Sequence, residues 1–393
     1  QQWRMLPPDT YRSGQTRSRG DQGLIDKAAA VLSAAQRPVI LAGGGVQWSN
    51  AGDVVCRMAE LTGAAIVTSY GRADAVPNDH PNYLGHLGRL GSLEGIEAMR
   101  QADTILAVGT RLSQSTTFYD NRFIPADAKI IQIEIDPEEI GRNYPVTVGI
   151  EGDAKAVMEG LLEKVRETEP RPNQQWVSEI GDWTSRRTSR LQDEEKLSGS
   201  PMKPQRVYAE LRKVMPRDAI IALDAGLAPN YGQDRLNYYE PRSLITSLDL
   251  GGLGFSFPAA IGAKFAAPDR PVINFNGDGG FLFNAQEFAT AVQYNLPVVT
   301  VIMNNGIWGS EKAYQRYAFD ERYVGADVVN PRFDKYAEIF GGAGFYVERP
   351  EDVGNALEEA LNCGKPSIIE IPTDPDEMPR PARLAEVQAP TQG

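Results

Sequence analysis

Asp278 lies in the run Asn276-Gly277-Asp278-Gly279-Gly280, and Asn304-Asn305 follows it 26 and 27 residues later. A carboxylate and an amide oxygen are hard donors of the kind a small divalent cation prefers and shares with phosphate. Bare glycine N–H groups at a helix start let an anion approach closely. Together these residue types suit Mg²⁺ carrying a diphosphate. Singly they say less, because Gly-Asp-Gly is a common turn and Asn-Asn a common strand end.

The elements around them supply the link. Pro271–Phe275 is an apolar run that ends at the first cluster, and Leu296–Met303 is another that ends at the second. Between them, Asn284–Val292 has a helix-like pattern. Strand, helix and strand form a parallel crossover, which brings both polar clusters to one carboxyl edge, where open α/β sheets bind ligands. The same alternation recurs along the chain. Helix patterns at Leu24–Gln36, Ala51–Thr62 and Asp153–Glu167 alternate with strands at Pro38–Ala42, Ala65–Val67, Thr104–Val108 and Lys129–Ile135. A second set has the helix Pro204–Val214 and strands at Ala219–Leu223 and Pro366–Ile371. Continuous apolar strands alternating with amphipathic helices imply buried parallel sheets, hence an α/β fold of two doubly wound, Rossmann-like domains. The expected organisation is a linker at 1–20, a first domain at 21–167, an interdomain linker with some helix at 168–203, a second domain at 204–375 and a Pro-rich tail at 376–393.

Composition narrows the function classes. A net charge of −12 argues against nucleic acid as a partner, since neutralising phosphates needs a basic face. No run of 18 apolar residues exists, so no membrane span is expected. Only His80 and His86 are present, which disfavours a His-rich metal site or a catalytic triad. Cys56 and Cys363 lie in helix-like apolar contexts and read as buried, reduced thiols of a cytoplasmic protein. The start at Gln1-Gln2-Trp3 has no initiator Met and no signal-peptide pattern, and reads as an interior piece of a longer chain.

The Asp278 and Asn305 pair resembles the cofactor signature of thiamine diphosphate (ThDP) enzymes, and the resemblance to the acetolactate synthase-like members extends over nearly the whole chain. It implies that Asp278, Asn305 and the main-chain carbonyl of Ile307 ligate Mg²⁺, with Gly279 and Gly280 offering N–H groups to the diphosphate. Ser247–Pro258 is a glycine-dense loop around one bulky apolar residue, Leu253. In the family this position bends the cofactor so that its 4′-amino group comes near C2. Leu253 is therefore the candidate wedge and the Gly251 carbonyl the candidate partner of the amino group, the two expected catalytic positions. Asp224, Gly226 and Asn230 fall where related enzymes place a second diphosphate loop. Acetolactate synthases usually carry Gln-His-Gln after that glycine, and this chain has Leu227-Ala228-Pro229.

In the first domain, Gly43-Gly44-Gly45, Leu84–Gly88 and Gly109-Thr110-Arg111 stand at or near strand exits. Glycines there suit a nucleotide phosphate, with Arg111 as a charge partner and Asp136 as a ribose partner. These loops, Gly85 among them, resemble those with which acetolactate synthases hold FAD, a further candidate cofactor. The run that usually follows the Arg is replaced by Leu112–Thr117.

The resemblance implies a carboligase or decarboxylase acting on a small 2-oxo acid such as pyruvate, a transferase or lyase by class. The run Trp308-Gly309-Ser310-Glu311-Lys312, expected to line the reaction cavity, is similar to sulfoacetaldehyde acetyltransferases, where a cation could meet a sulfonate or phosphate. Tyr314 stands where acetolactate synthases tend to carry Trp. A third alternative is a non-catalytic nucleotide-binding or scaffolding subunit. The family also implies a partner: an N-terminal pyrimidine-binding domain bearing the activating glutamate, in a longer chain or a separate subunit. Its active sites form between subunits, so a homodimer or tetramer is expected, and the chain alone is expected to be inactive.

Overall fold

A computed structural model describes residue 7 and residues 17–247 and 250–379. Most of the expected 1–20 linker, most of the 376–393 tail, and Leu248 and Asp249 lie outside the described residues.

The first domain holds β1 (Pro38–Ala42), β2 (Ala65–Thr68), β3 (Tyr83–His86), β4 (Thr104–Val108), β5 (Lys129–Glu134) and β6 (Val148–Glu151). The second holds β7 (Ile220–Leu223), β8 (Leu244–Thr246), β9 (Val272–Gly277), β10 (Val298–Asn304), β11 (Ala343–Tyr346) and β12 (Ser367–Pro372). Each set forms one six-stranded sheet, in the orders β3-β2-β1-β4-β5-β6 and β11-β12-β10-β9-β7-β8. Every pairing is parallel, and helices flank the sheets. Strands covered on both faces read as unbroken apolar runs, and every residue of β1, β2, β4 and β7 is buried. The strand order reverses between β1 and β4 in one sheet and between β7 and β9 in the other. Crevices for ligands open at such reversals, beyond the carboxyl ends of the strands.

Four strands were not expected: β3, β6, β8 and β11. All four are sheet edges. Three of them carry a glycine within four residues, and β8 is only three residues long, so none produces an apolar run. The stretch expected to link the domains, 168–203, contains a 20-residue helix, Gln174–Asp193, with Asn173 as its N-cap. Its Trp176, Ile180 and Trp183 are buried one turn apart against the first sheet, the two indoles meet edge-on at 5.2 Å, and Trp176 Nε1 donates to the Pro38 carbonyl. Cys363 departs from its expected burial: it caps the helix Pro350–Asn362 on the solvent side and is exposed. Cys56 is half-buried, and burial, with Glu60 beside it, pushes its thiol up to about 12.

A buried polar seam joins the domains. Arg187 and Arg190, near the end of the 174–193 helix, reach the Asp234 carboxylate at 2.9 and 3.1 Å. Burial alone would raise that carboxyl, but the guanidiniums of Arg187, Arg190 and Arg235 hold it well below the usual carboxylate range. Asp74 of the first domain accepts from the Leu244 N–H of the second at 3.0 Å and from Gln47 at 2.7 Å. Removing one partner of such a buried pair leaves a charge unpaired in low dielectric, so the seam fixes the relative placement of the two strand edges.

Candidate functional site

A cleft of about 330 Å³ opens at the carboxyl ends of β7, β9 and β10, at the strand-order reversal of the second sheet. Asp278 stands on it as the first residue of the short helix Asp278–Leu282, immediately after β9. Its carboxylate is buried, and its Oδ2 accepts from the Gly306 N–H at 3.0 Å and from Asn330 Nδ2 at 2.6 Å. Burial raises this carboxyl, and the Asn330 amide works against that rise. Asn305, just past β10, and Ile307 line the same cleft, and the Ile307 N–H donates to Asn305 Oδ1 at 3.3 Å. The turn that carries them passes through Gly306 at φ +67°. It is tied down by Trp308 N–H to the Ala326 carbonyl and Val328 N–H to the Gly306 carbonyl, both 2.8 Å. One buried carboxylate, one amide oxygen and nearby main-chain carbonyls are an oxygen-only donor set, which fits Mg²⁺ and not a thiophilic metal. Among the described residues no group of three or more His, Cys, Asp or Glu could hold a metal without such help.

Two of the glycines here, Gly279 and Gly280, are required by close packing. A Cβ on Gly279 would lie 2.6 Å from the Trp308 ring, and one on Gly280 would lie 2.4 Å from Asp224 Oδ2. On Gly277 and Gly251 it would meet nothing within 4 Å. Both of these residues line the cleft, as does the half-buried Leu253.

Asp224, Gly226 and Asn230 also line the cleft, but Asp224 is already engaged. Its oxygens accept from Gly254 N–H at 2.9 Å, Asn276 Nδ2 at 2.8 Å and Ser256 N–H at 3.3 Å. This fully buried carboxylate ties the β7, β9 and 250–256 loops together. Gly226, at φ +118°, caps the short helix Leu227–Asn230. Asn230 Oδ1 accepts from the Tyr70 hydroxyl of the first domain at 3.0 Å.

Trp308, Gly309, Ser310, Glu311 and Tyr314 border the cleft, and Lys312 does not. The Lys312 ammonium turns away to Asp327 at 2.7 Å and lies over the Tyr323 ring, so the cation expected to meet a sulfonate or phosphate is spent elsewhere. A different cation, Arg89 from the first domain, lines the cleft. Arg89, Tyr70 and Asn330 were not anticipated. No local motif marks them, because each belongs to a loop brought over by long-range packing.

A second cleft opens at the reversal of the first sheet, lined by Gly44, Gly45, Gly109, Arg111 and Glu134. The loops cross closely there: Gly45 N–H donates to the Gly109 carbonyl at 2.9 Å, and a Cβ on Gly45 would lie 2.6 Å from Gly109 Cα. Gly43–Gly45, at the exit of β1, caps and begins a helix, Gly44–Ser49. Gly85 lies outside this cleft, buried with a would-be Cβ 2.4 Å from that of Ser92. Asp136 lies outside it as well, its carboxylate capping the Glu138 N–H at 3.0 Å; Glu134 is the carboxylate that faces the opening.

Comparison with known proteins agrees with this arrangement. The family model described as thiamine pyrophosphate enzyme, central domain, matches residues 25–161, and that of the C-terminal TPP binding domain matches 224–371. The sulfoacetaldehyde acetyltransferase of Castellaniella defragrans is 33% identical over 94% of this chain and 67% of its own length. The probable acetolactate synthase large subunit of Methanocaldococcus jannaschii is 35% identical over 93% of this chain and 63% of its own. The acetolactate synthase large subunit of Haemophilus influenzae is 32% identical over 95% and 65%. The chain thus spans about two thirds of the length of these relatives. With both domain models matched in order, and the cleft of the second domain built on the Asp278 and Asn305 loops, the chain belongs to the thiamine pyrophosphate-dependent enzymes.

Proposed function

We propose that this chain holds the diphosphate and Mg²⁺ of a ThDP-dependent carboligase or decarboxylase whose substrate is a small 2-oxo acid such as pyruvate. The observation that carries the reading is the convergence of Asp278, Asn305 and Ile307 with glycine amides on one cleft at a strand-order reversal. In it, Asp278, the Asn305 side chain and the Ile307 carbonyl hold the cation, and the N–H groups of Gly279 and Gly280 face the diphosphate. Bound there, ThDP supplies a nucleophilic carbon and an electron sink for bonds next to a carbonyl. Leu253 and Gly251 shape the wall against which the cofactor's rings would lie. The exposed Leu250 and Phe283 beside these loops fit coverage by a second protein surface, as a pyrimidine-binding domain or another subunit would give. The first-domain cleft suits a nucleotide, FAD being the candidate, with Arg111 at its charged end. No helix among the described residues is long and apolar enough to cross a membrane, and two unpaired thiols suit a reducing cytoplasm.

A sulfoacetaldehyde acetyltransferase-type reaction is the second reading, supported by Leu227-Ala228-Pro229 in place of the Gln-His-Gln usual in acetolactate synthases and by the similarity to the Castellaniella defragrans enzyme. The assembled holoenzyme, given pyruvate in one arm and sulfoacetaldehyde with phosphate in the other, separates the two. Acetolactate and CO₂ from pyruvate support the first. Sulfite and acetyl phosphate support the second. No turnover in either arm refutes both.

A further inference from the structure

Arg89 is the single Lys or Arg among the described residues that line the thiamine-site cleft, and it comes from the first domain, while the expected metal ligands and glycine amides come from the second. It sits in a tight turn after β3, closed by Gly91 N–H to the Gly88 carbonyl at 3.0 Å. That turn is pinned on both sides. A Cβ on Gly88, at φ +99°, would lie 2.3 Å from the Ser115 carbonyl oxygen and 2.8 Å from Tyr70 Cβ. Leu90, the next residue along, is partly buried against the core cluster of the second domain. The backbone is therefore held in place by both domains while the guanidinium is left exposed. Nearby arginines of the domain seam are consumed in ion pairs, Arg187 and Arg190 with Asp234 and Arg235 with Glu194. The described residues give the Arg89 side chain no such partner. The other charged side chains on the cleft are Asp224, Asp278 and Glu311, of which Asp224 is locked in its loop knot.

A cation with no ion-pair partner among the described residues, carried on a pinned turn at a cleft whose other charged side chains are carboxylates, is placed to receive an anion. The metal and the glycine amides of the second domain answer the diphosphate in the functional reading above, on which this inference rests. We infer that Arg89 is the specificity residue that binds the anionic group of the reacting substrate, a carboxylate or a sulfonate. Both present paired anionic oxygens to the planar fork of a guanidinium, which an ammonium matches less well.

The test uses the assembled holoenzyme as wild type, R89Q and R89K. Pyruvate, sulfoacetaldehyde with phosphate, and uncharged acetaldehyde are the substrates, ThDP and Mg²⁺ affinities are measured by calorimetry, and folding is checked by thermal melting. R89Q is expected to raise KM for the anionic substrate by about tenfold to a hundredfold, the range of a lost charge-assisted hydrogen bond. Use of acetaldehyde and cofactor affinity should be unchanged, and R89K should recover part of the loss. Whichever of pyruvate and sulfoacetaldehyde shows the effect identifies the anion as carboxylate or sulfonate. An unchanged KM, an equal rise for acetaldehyde, or weakened ThDP binding overturns the assignment, the last by giving Arg89 to the diphosphate. If the wild type turns over none of the three, the functional reading fails. Arg89 is then judged by calorimetric titration of pyruvate and of sulfoacetaldehyde onto ThDP-loaded wild type and R89Q, where binding lost in R89Q supports it and equal or absent binding overturns it.

Discussion

Asn330 Nδ2 reaches Asp278 Oδ2 at 2.6 Å and Asn304 Oδ1 at 2.9 Å, so one amide bridges the ends of β9 and β10. The line of contacts continues inward: Asn304 Nδ2 donates to Glu370 Oε1 of β12 at 2.8 Å, and Glu370 Oε2 accepts the Phe333 N–H at 2.7 Å. The orientation of the Asp278 carboxylate is thereby tied to the buried heart of the second sheet.

Loss of this bridge should loosen the carboxylate without removing it. Asn330→Ala is predicted to weaken Mg²⁺ binding by about tenfold to a hundredfold, the range for partners that orient a ligand. Calorimetric titration of Mg²⁺ in the presence of ThDP, on protein with wild-type melting behaviour, checks this. Unaltered affinity would leave Asn330 a packing residue.

Leu253→Ala is predicted to lower turnover more than ThDP affinity. Leu253 lines the cleft with a purely apolar side chain, so its truncation should leave the Asp278 and Asn305 loops intact while removing the wall proposed to position the cofactor's rings. Steady-state kinetics beside ThDP titration separates the two effects. Equal losses in both would show that the residue only supports binding.

His86 is buried with its Nδ1 unpartnered, and burial depresses its imidazolium to about 4, against a partial lift from Asp234. The folded pKa lies below the unfolded one, so its stabilisation is complete above about 6.5 and is lost as pH falls through the folded value. Asp74 shares this window with the opposite sign, since burial raises its carboxyl to about 6. The informative quantity is therefore a difference: between pH 7 and 4, His86→Asn should lose less stability than wild type in urea unfolding. Parallel curves would remove His86 from the acid response.

Interior strands were legible because parallel strands covered on both faces need unbroken apolar sequence, and Pro38–Ala42 and Thr104–Val108 run as their pattern indicated. The edge strands were not, since Tyr83-Leu84-Gly85-His86 and Ala343-Gly344-Phe345-Tyr346 gain their extended form from one neighbour and spend a glycine on close packing. The Gly280 and Asp224 contact explains another limit. Asp224 falls where related enzymes place a diphosphate loop, and nothing local shows that its carboxylate is engaged across 30 residues by Gly254 and across 52 by Asn276. Lys312 and Arg89 exchanged places for a similar reason. Helical spacing puts Lys312 near the cleft, but its partner Asp327 lies 15 residues on, and nothing local announces that the loop at Arg89 crosses to the other domain.

The central claim is that Asp278 anchors the cation through which this chain holds a diphosphate, and Asp278→Ala tests it most directly. With the carboxylate gone, the diphosphate's charge is poorly compensated, and Mg²⁺-dependent ThDP binding should disappear in calorimetry. Asn305→Ala, which removes a neutral ligand, should only weaken it. Both variants should melt as folded proteins. ThDP affinity equal to wild type in a folded Asp278→Ala protein, with the same dependence on Mg²⁺, would contradict the account.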